Sequence, residues 1–351
     1  MDNGSVLRTT LDRHAVRGEL FTPLDRSWLL CYACGHRCRI PPGRYGICKV
    51  RENRDGVLYV PSGYTAGVAL DPIEKKPFFH VLPGSGALSF GMLGCDYHCA
   101  YCQNWITSQA LRDPAAGSGI ERATADEIVR LALAHGARTV TSTYNEPLIT
   151  SEWAVEIFRR AHDAGLRTSY VSNGNGTPEV LEYLRPHLDF CKVDLKSFRA
   201  GTYRQLGGTL GAVLETIRTL HRMRVWVEVV TLLVPGLNDS DAEVRGMAEF
   251  IVSVSPEIPW HVTAFHGDYR MTAPDRTTAR SLVHAAGIGR AAGLQFVYTG
   301  NLPGMTDGNE NTHCPSCRTV LVRRLGFHIA GNVIRQGACP SCGTPVPGVW
   351  A

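Results

Sequence analysis

Eleven of the twelve cysteines in this 351-residue chain fall into three groups. The N-terminal group is Cys31, Cys34, Cys38 and Cys48, the central group is Cys95, Cys99 and Cys102, and the C-terminal group is Cys314, Cys317, Cys339 and Cys342. Disulfide frameworks belong to small secreted domains, whereas clustered cysteines in a large chain point to metal. We therefore expect three metal sites, with Cys191 outside all of them.

The central group offers three thiolates within a short segment between Gly94 and Trp105. A tetrahedral zinc ion there would need a fourth ligand from a distant part of the chain. A 4Fe-4S cluster held by three cysteines instead leaves one iron free to bind an exogenous group. The residues alone leave both an open-iron cluster and a closed zinc site with a distant fourth ligand as alternatives.

The C-terminal group forms two Cys-Pro-Ser-Cys knuckles at the spacing of a zinc ribbon. We predict a structural zinc there, which would contribute folding free energy rather than chemistry. The N-terminal group also offers four thiolates, but it lacks the knuckle sequence. Its spacing is compatible with zinc and with a second 4Fe-4S cluster.

The elements that position these groups follow a repeating pattern from about Ala87 to Asn301. Strands are predicted at Ala87–Met92, Arg138–Thr143, Arg167–Ser172, Phe190–Leu195, Val225–Val234, His261–Phe265 and Phe296–Thr299. Helices are predicted at Ala125–His135, Glu152–Ala164, Pro178–Tyr183, Val213–Met223, Asp241–Val254 and Ala279–Ala292. Repeated β-then-α units predict an α/β fold and favour a partial (β/α)6-type barrel over an open doubly wound sheet.

The chain divides into three predicted parts. Residues 1–70 are a cysteine-rich metal-binding segment, residues 71–301 carry the barrel pattern, and residues 302–351 form a zinc-ribbon-like segment. Both flanking parts carry frequent turn residues and few long periodic runs.

Polar side chains cluster where the predicted strands end. Asn145 and Glu146, Ser172 and Asn173, and Asp194 and Lys196 follow the second, third and fourth strands. Ligands of parallel α/β folds bind at the carboxyl ends of the strands, so we expect a site there. A local ion pair is the alternative for Asp194 and Lys196, since alternate strand residues share a face. His261 is predicted either to line the substrate side or to be a core residue.

The Cys-x3-Cys-x2-Cys spacing, with Tyr101 before the last cysteine, resembles the signature of the radical S-adenosylmethionine (SAM) superfamily. In that superfamily the open iron binds the amino and carboxylate groups of SAM. One electron from the cluster then cleaves a carbon–sulfur bond, usually giving methionine and a 5′-deoxyadenosyl radical. The resemblance implies a 4Fe-4S cluster and SAM as cofactors, and an external electron donor of the flavodoxin or ferredoxin type.

The same resemblance implies roles for individual residues. Tyr101 would pack against the adenine, and Glu146 stands where the superfamily often carries a Gly-Gly-Glu segment that receives the methionyl amine. Asn145-Glu146-Pro147 departs from that pattern, so the assignment rests on position and on Glu146. The residues that resemble SAM ribose and carboxylate contacts of glycyl-radical-enzyme activases are Ser172, Asn173, Asp194 and Lys196.

Longer segments narrow the resemblance. They are Cys31–Arg51, Asp71–Pro77, Gly94–Trp105, Thr143–Pro147, Tyr298–Asn301 and Cys339–Trp350. Together they resemble the AmmeMemoRadiSam system radical SAM enzymes, which are related to pyruvate formate-lyase activating enzymes. This implies Memo-like and AMMECR-type proteins as partners. Activation of a glycyl radical enzyme is the narrower alternative, and a zinc-rich binding module without catalysis is the alternative from another class.

Composition limits the partners. The formal net charge is +4, and the basic residues are not clustered along the chain, so we expect no nucleic-acid partner. No apolar run approaches the roughly 18 residues of a membrane span, and the first residues lack an apolar signal region. The sequence predicts a cytoplasmic protein.

Overall fold

The computed structural model describes residues 3–117 and 119–351. Its first part, up to residue 65, contains one helix and short strands: α1 (Asn3–Asp12), β1 (Ala15–Arg17), β2 (Phe21–Pro23), β3 (Leu29–Cys31), β4 (Arg39–Ile40), β5 (Arg44–Tyr45), β6 (Glu52–Arg54), β7 (Val57–Pro61) and β8 (Tyr64–Thr65). These strands form an antiparallel sheet in the order β1-β7-β6-β5 and a second one in the order β2-β3-β4.

The centre of the molecule is an eight-stranded sheet in the order β9-β10-β12-β13-β14-β15-β16-β17. Its strands, with β11, which pairs with β8, are β9 (Gly67–Pro72), β10 (Gly86–Gly91), β11 (Glu121–Arg122), β12 (Ala137–Ser142), β13 (Arg167–Ser172), β14 (Phe190–Asp194), β15 (Trp226–Leu233), β16 (Trp260–Ala264) and β17 (Val297–Gly300). All neighbours from β10 to β17 are parallel, and β9 is antiparallel to β10. The predicted α/β partial barrel and its seven parallel strands are confirmed.

The helices connect the parallel strands. They are α2 (Trp105–Ser108), α3 (Ala125–Ala134), α4 (Ser151–Asp163), α5 (Pro178–Leu184), α6 (Ala200–Leu206), α7 (Leu210–Arg222), α8 (Asp241–Val254) and α9 (Ala279–Ala291), with 3-10 turns at Asp25–Ser27, Ile73–Lys75, Pro147–Thr150 and Arg185–His187. Thr124 caps α3: its hydroxyl accepts the Glu127 N–H, and the Glu127 carboxylate accepts the Thr124 N–H. Helices α2 and α6 were not predicted: α2 has only four residues, and α6 begins without a capping side chain, whereas the equally short α5 begins at Thr177 and Pro178.

The C-terminal part consists of three antiparallel strands, β18 (Thr312–His313), β19 (Val320–Leu325) and β20 (His328–Asn332), followed by the second knuckle. It packs against the barrel through a cluster that includes Phe79, Phe296 and Tyr298. The buried Arg324 guanidinium donates to the carbonyl of Phe79, at 2.7 Å. This segment therefore lies against β17, and Phe327, in the turn between β19 and β20, also lines the predicted site at the carboxyl ends of the strands.

A buried ion pair fastens the N-terminal part to the barrel. Arg51 lies in that part, and its guanidinium binds both carboxylate oxygens of Glu152 on α4, at 2.7 and 2.8 Å. The two side chains are 1% and 7% exposed. Because a desolvated ion is costly when it loses its partner, this contact holds the two parts in one arrangement.

We expect Glu152→Ala to lower the free energy of unfolding by about 3–5 kcal/mol, because it leaves the Arg51 guanidinium buried and unpaired. Glu156→Ala is the matched control on the same helix, since it removes only an exposed partner of Arg160 and should cost at most about 1 kcal/mol. Urea unfolding of both variants measures the difference. Equal small losses would contradict this account of the attachment.

Candidate active site

The central cysteines lie in the loop that follows β10. Gly94 enters this loop with a φ of +96°, and a Cβ atom there would lie 2.9 Å from Cγ1 of Val50 and 3.0 Å from the carbonyl oxygen of Cys48. Glycine is therefore required by both the backbone conformation and the space. Cys99 is buried, and Cys95 and Cys102 are partly exposed.

Polar groups face two of the three sulfur atoms. The backbone N–H of Tyr97 donates to Sγ of Cys95 at 3.3 Å, and the Ser108 hydroxyl lies 3.2 Å from Sγ of Cys102. Burial raises the pKa of the Cys99 thiol to about 12, although the nearby Lys196 ammonium opposes the shift. The Cys99 thiol is therefore a weak nucleophile by itself, and a bound metal would be needed to hold it as a thiolate.

All three cysteines line one cavity of about 420 Å³ at the carboxyl ends of the strands. The sequence-predicted residues that line it with them are Tyr101, Asn145, Glu146, Ser172, Asn173, Asp194 and Lys196. This volume lies within the usual range for small-molecule sites, about 300–1,000 Å³. A larger groove of about 740 Å³ runs along the opposite ends of the strands, between Arg167 and Trp226, but no cysteine lines it.

Glu146 is buried in the wall of this cavity. Its carboxylate accepts hydrogen bonds from the Ser172 hydroxyl at 2.6 Å, the Asn173 N–H at 2.7 Å and the Leu148 N–H at 3.1 Å. Burial and the neighbouring Asp96 carboxylate nevertheless raise the pKa of Glu146 to about 8. The site thus holds a carboxyl group that a cationic ligand would help to ionise.

Asn145 has a different role from its neighbour. Its side-chain oxygen accepts the backbone N–H of Met92 at 3.0 Å, and its amide nitrogen donates to the Glu146 carbonyl at 3.1 Å. Asn145 therefore fastens the loop after β12 to the end of β10.

Two lysines share the Asp194 carboxylate. Lys192 contacts one of its oxygens, and the Lys196 ammonium lies 2.8 Å from the other. Burial alone would raise the pKa of Asp194, but the two ammonium groups outweigh it and lower the pKa to about 2. This arrangement contains the local ion pair that the sequence suggests, and it also leaves more positive than negative charge at this wall.

His261 does not join the other predicted residues. Its ring is buried near the start of β16, with Nε2 2.6 Å from the Glu228 carboxylate, and it is not among the residues that line the cavity. Thr263, two residues further along the same face, does line it. His261 thus lies below the cavity, in the barrel floor, which corrects its placement on the substrate side.

Sequence reasoning missed several residues of the site. Asp96 is fully buried, and its oxygens accept the side-chain amides of Asn173 at 2.7 Å and Asn175 at 2.8 Å. Lys76 lines the cavity with its ammonium 2.8 Å from Asp71. Both belong to segments that carry the family resemblance, which was the signal available for finding them.

Comparison with known proteins identifies the family. The model of the Radical SAM superfamily matches residues 91–251. An uncharacterized protein of Methanocaldococcus jannaschii is 33% identical over 331 residues, which cover 93% of this chain and 97% of that protein. This chain belongs to the radical SAM superfamily. Its members are enzymes, so this chain is an enzyme rather than a zinc-rich binding module.

Two activating enzymes are also similar to this chain, over shorter lengths. The isethionate sulfite-lyase activating enzyme of Desulfovibrio desulfuricans is 25% identical over 177 residues, 48% of this chain and 56% of that protein. The benzylsuccinate synthase activating enzyme of Thauera aromatica is 28% identical over 213 residues, 53% of this chain and 63% of that protein. The matches therefore leave more than a third of each activating enzyme uncovered.

The superfamily uses a 4Fe-4S cluster and SAM, and the central group fits the cluster better than a single ion. Among the residues that the structure describes, only the C-terminal group brings its ligand atoms within 4.8 Å of one another. A cubane places each cysteine on a different iron, so its thiolates stand further apart than around one zinc ion. The cavity that these cysteines line would give an open iron room for SAM.

We expect Gly94→Ala to destabilise the protein by about 1–3 kcal/mol, because alanine is strained at this φ and its Cβ meets Val50 and Cys48. The same change should lower the iron content after anaerobic reconstitution, since the cysteine loop must move. Gly136→Ala is the control: its φ is +64°, but nothing lies within 4 Å of the added Cβ. Equal iron contents in the two variants would contradict the close-approach argument.

Proposed function

We propose that Cys95, Cys99 and Cys102 hold the 4Fe-4S cluster, and that the cavity beside them binds SAM for reductive cleavage. The observation that carries the proposal is that the three thiols and the polar ends of β12, β13 and β14 line one cavity. When bound, the cluster supplies one electron to the sulfonium of SAM, which breaks a carbon–sulfur bond and starts radical chemistry on a substrate.

The chain's own residues would orient SAM. Glu146 would accept the methionyl ammonium, because it is a buried carboxyl beside the cysteine loop. Lys196 and Asp194 are suited to the SAM carboxylate and ribose hydroxyls, with Ser172 and Asn173 completing the polar wall. Tyr101 is buried next to Cys99 and Lys196 and would pack against the adenine.

We expect Cys99→Ala to keep its fold and to lose SAM cleavage, because two cysteines leave two irons of the cluster without protein ligands. Cys191→Ala is the control, since Cys191 is buried but lies outside all three cysteine groups. Anaerobic reconstitution, then SAM and dithionite, with 5′-deoxyadenosine and methylthioadenosine measured together, gives the activity and the bond that breaks. Full cleavage by Cys99→Ala would overturn the proposal.

The raised pKa of Glu146 predicts a pH dependence. Below about pH 8 the free protein holds this carboxyl protonated, so its attraction for a cationic amine should increase as the pH rises through that value. SAM affinity of the wild type should show this step, and Glu146→Gln should lack it while keeping any change due to SAM itself. If the SAM affinities of the wild type and Glu146→Gln change with pH in the same way, Glu146 does not bind the ammonium group.

The C-terminal group is proposed to bind a structural zinc ion. The sulfur atoms of Cys314 and Cys342 lie 3.6 Å apart, as do those of Cys317 and Cys339. Zinc–sulfur bonds of about 2.3 Å in a tetrahedron require thiolates about 3.8 Å apart. The spacing supports one zinc ion at this site, and its contribution would be to stability.

Within the superfamily, we assign the chain to the AmmeMemoRadiSam system, with Memo-like and AMMECR-type proteins as partners and a flavodoxin- or ferredoxin-type electron donor. The support is the set of longer segments, of which Asp71–Pro77 places Lys76 in the cavity wall.

No helix in the described residues is long and apolar enough to span a membrane. A cytoplasmic location and the division at residues 70 and 301 stay predictions; strand β9 crosses the first of these boundaries.

Activation of a glycyl radical enzyme is the second candidate, because two of the relatives are activating enzymes. It requires a protein glycine as the hydrogen donor. A glycyl radical enzyme encoded beside this gene would favour it, and a Memo-like neighbour would favour the first assignment.

A further inference from the structure

The N-terminal cysteine group lies directly against the central loop. Cys34 and Cys48 pack with Val50 and with Ile149, which follows the Glu146 turn. The carbonyl oxygen of Cys48 stands 3.0 Å from the position of a Cβ on Gly94. Nε2 of His36 lies 3.2 Å from the carbonyl oxygen of Asp96, between Cys95 and Cys99 in the chain. The two cysteine groups are therefore neighbours in space.

Every sulfur atom of the N-terminal group faces an N–H donor. These contacts are Arg51 Nε to Cys31 at 3.2 Å, Ile47 N–H to Cys38 at 3.5 Å, His36 N–H to Cys34, and the N–H groups of Val50 and Arg51 to Cys48. Donors aimed at sulfur, including one from a cationic guanidinium, are the environment of thiolates and of metal ligands. Four thiols that each face an N–H donor suit a metal site better than a set of core cysteines.

The distances between sulfur atoms differ between the C-terminal group and the other two cysteine groups. The C-terminal thiols stand at the distances of a single tetrahedral ion. In the N-terminal group, whose residues are all described, no three sulfur atoms lie within 4.8 Å of one another, and the central group shares this wider spacing. Thiolates on four different irons of a cubane require the wider arrangement.

We propose that Cys31, Cys34, Cys38 and Cys48 hold a second 4Fe-4S cluster, adjacent to the one at the central group. Each of its irons carries a cysteine, so it has no open position for SAM. Its chemistry is limited to gaining and losing an electron, and its binding also holds the N-terminal part together. The proposal rests on the proposed function only for the presence of the neighbouring cluster.

Metal analysis of the full chain tests this directly. After anaerobic reconstitution we expect about eight irons and about one zinc per wild-type chain. The triple variant Cys95→Ala, Cys99→Ala, Cys102→Ala should keep about four irons, with the Mössbauer spectrum of a 4Fe-4S cluster and, after dithionite reduction, an EPR signal that SAM does not change. About four irons and two zinc ions in the wild type, or no iron in the triple variant, would overturn the proposal.

A single substitution tests the site from its own side. Cys38→Ser changes the one partly exposed cysteine of the group and should lower the iron content of the wild-type chain by about half. Cys191→Ser, at a buried cysteine outside the groups, should keep the full content. If Cys38→Ser does not fold, the triple variant still decides.

The two proposals fail separately. A wild-type chain that cleaves SAM with about four irons retains the proposed function and loses the second cluster. A triple variant that keeps about four irons, from a wild type that cleaves no SAM, gives the reverse result.

Discussion

The carboxylate of Asp96 is the contact on which the arrangement of the site depends. It is fully buried within the cysteine loop, and its two oxygens bind the amides of Asn173 and Asn175 after β13. A buried charge needs such partners, so the loop is held against the neighbouring strand end. Burial raises the pKa of Glu146 and of the Cys95 thiol, and the Asp96 carboxylate raises both further. One side chain thus holds the central group in place and contributes to the raised pKa of the carboxyl group in the wall opposite it.

Around this carboxylate, the parallel sheet determines which residues meet. Lys192 and Asp194 come from β14, and Lys196 follows it, so one strand end supplies three charges to the cavity. Lys76 lies in the segment between β9 and β10. Strand β9 is antiparallel to β10. The cavity is therefore lined both by charged residues that are neighbours in the sequence and by Lys76, which only the tertiary fold brings there.

The sequence predicted the barrel well because short runs rich in β-branched and aromatic residues alternate regularly with amphipathic helical runs. It did not predict the strands of the N-terminal part, most of which are two or three residues long and show no period. The sequence predicted those cavity residues that form a polar pair directly after a strand. The sequence could not decide between the two positions predicted for His261, of which the structure shows the core one. His261 and Thr263 share a face of β16, and the alternating pattern gives the face of a side chain but not its depth along the barrel axis. Asp96 was missed because its partners come from a distant strand end.

The floor of the barrel is closed by segments far apart in the chain. The ring of His80 lies 2.6 Å from the carbonyl oxygen of Pro347, 267 positions later, and Val81 pairs with Val349 in a parallel bridge. Glu228 is sealed beneath, where it binds the N–H groups of Phe79 and His80. Contacts of such long range form late, because loop closure must precede them. During synthesis, the seven parallel strands would therefore be complete while the underside of the barrel still lay open to water, and a chain at that stage would need protection from aggregation until the tail arrived.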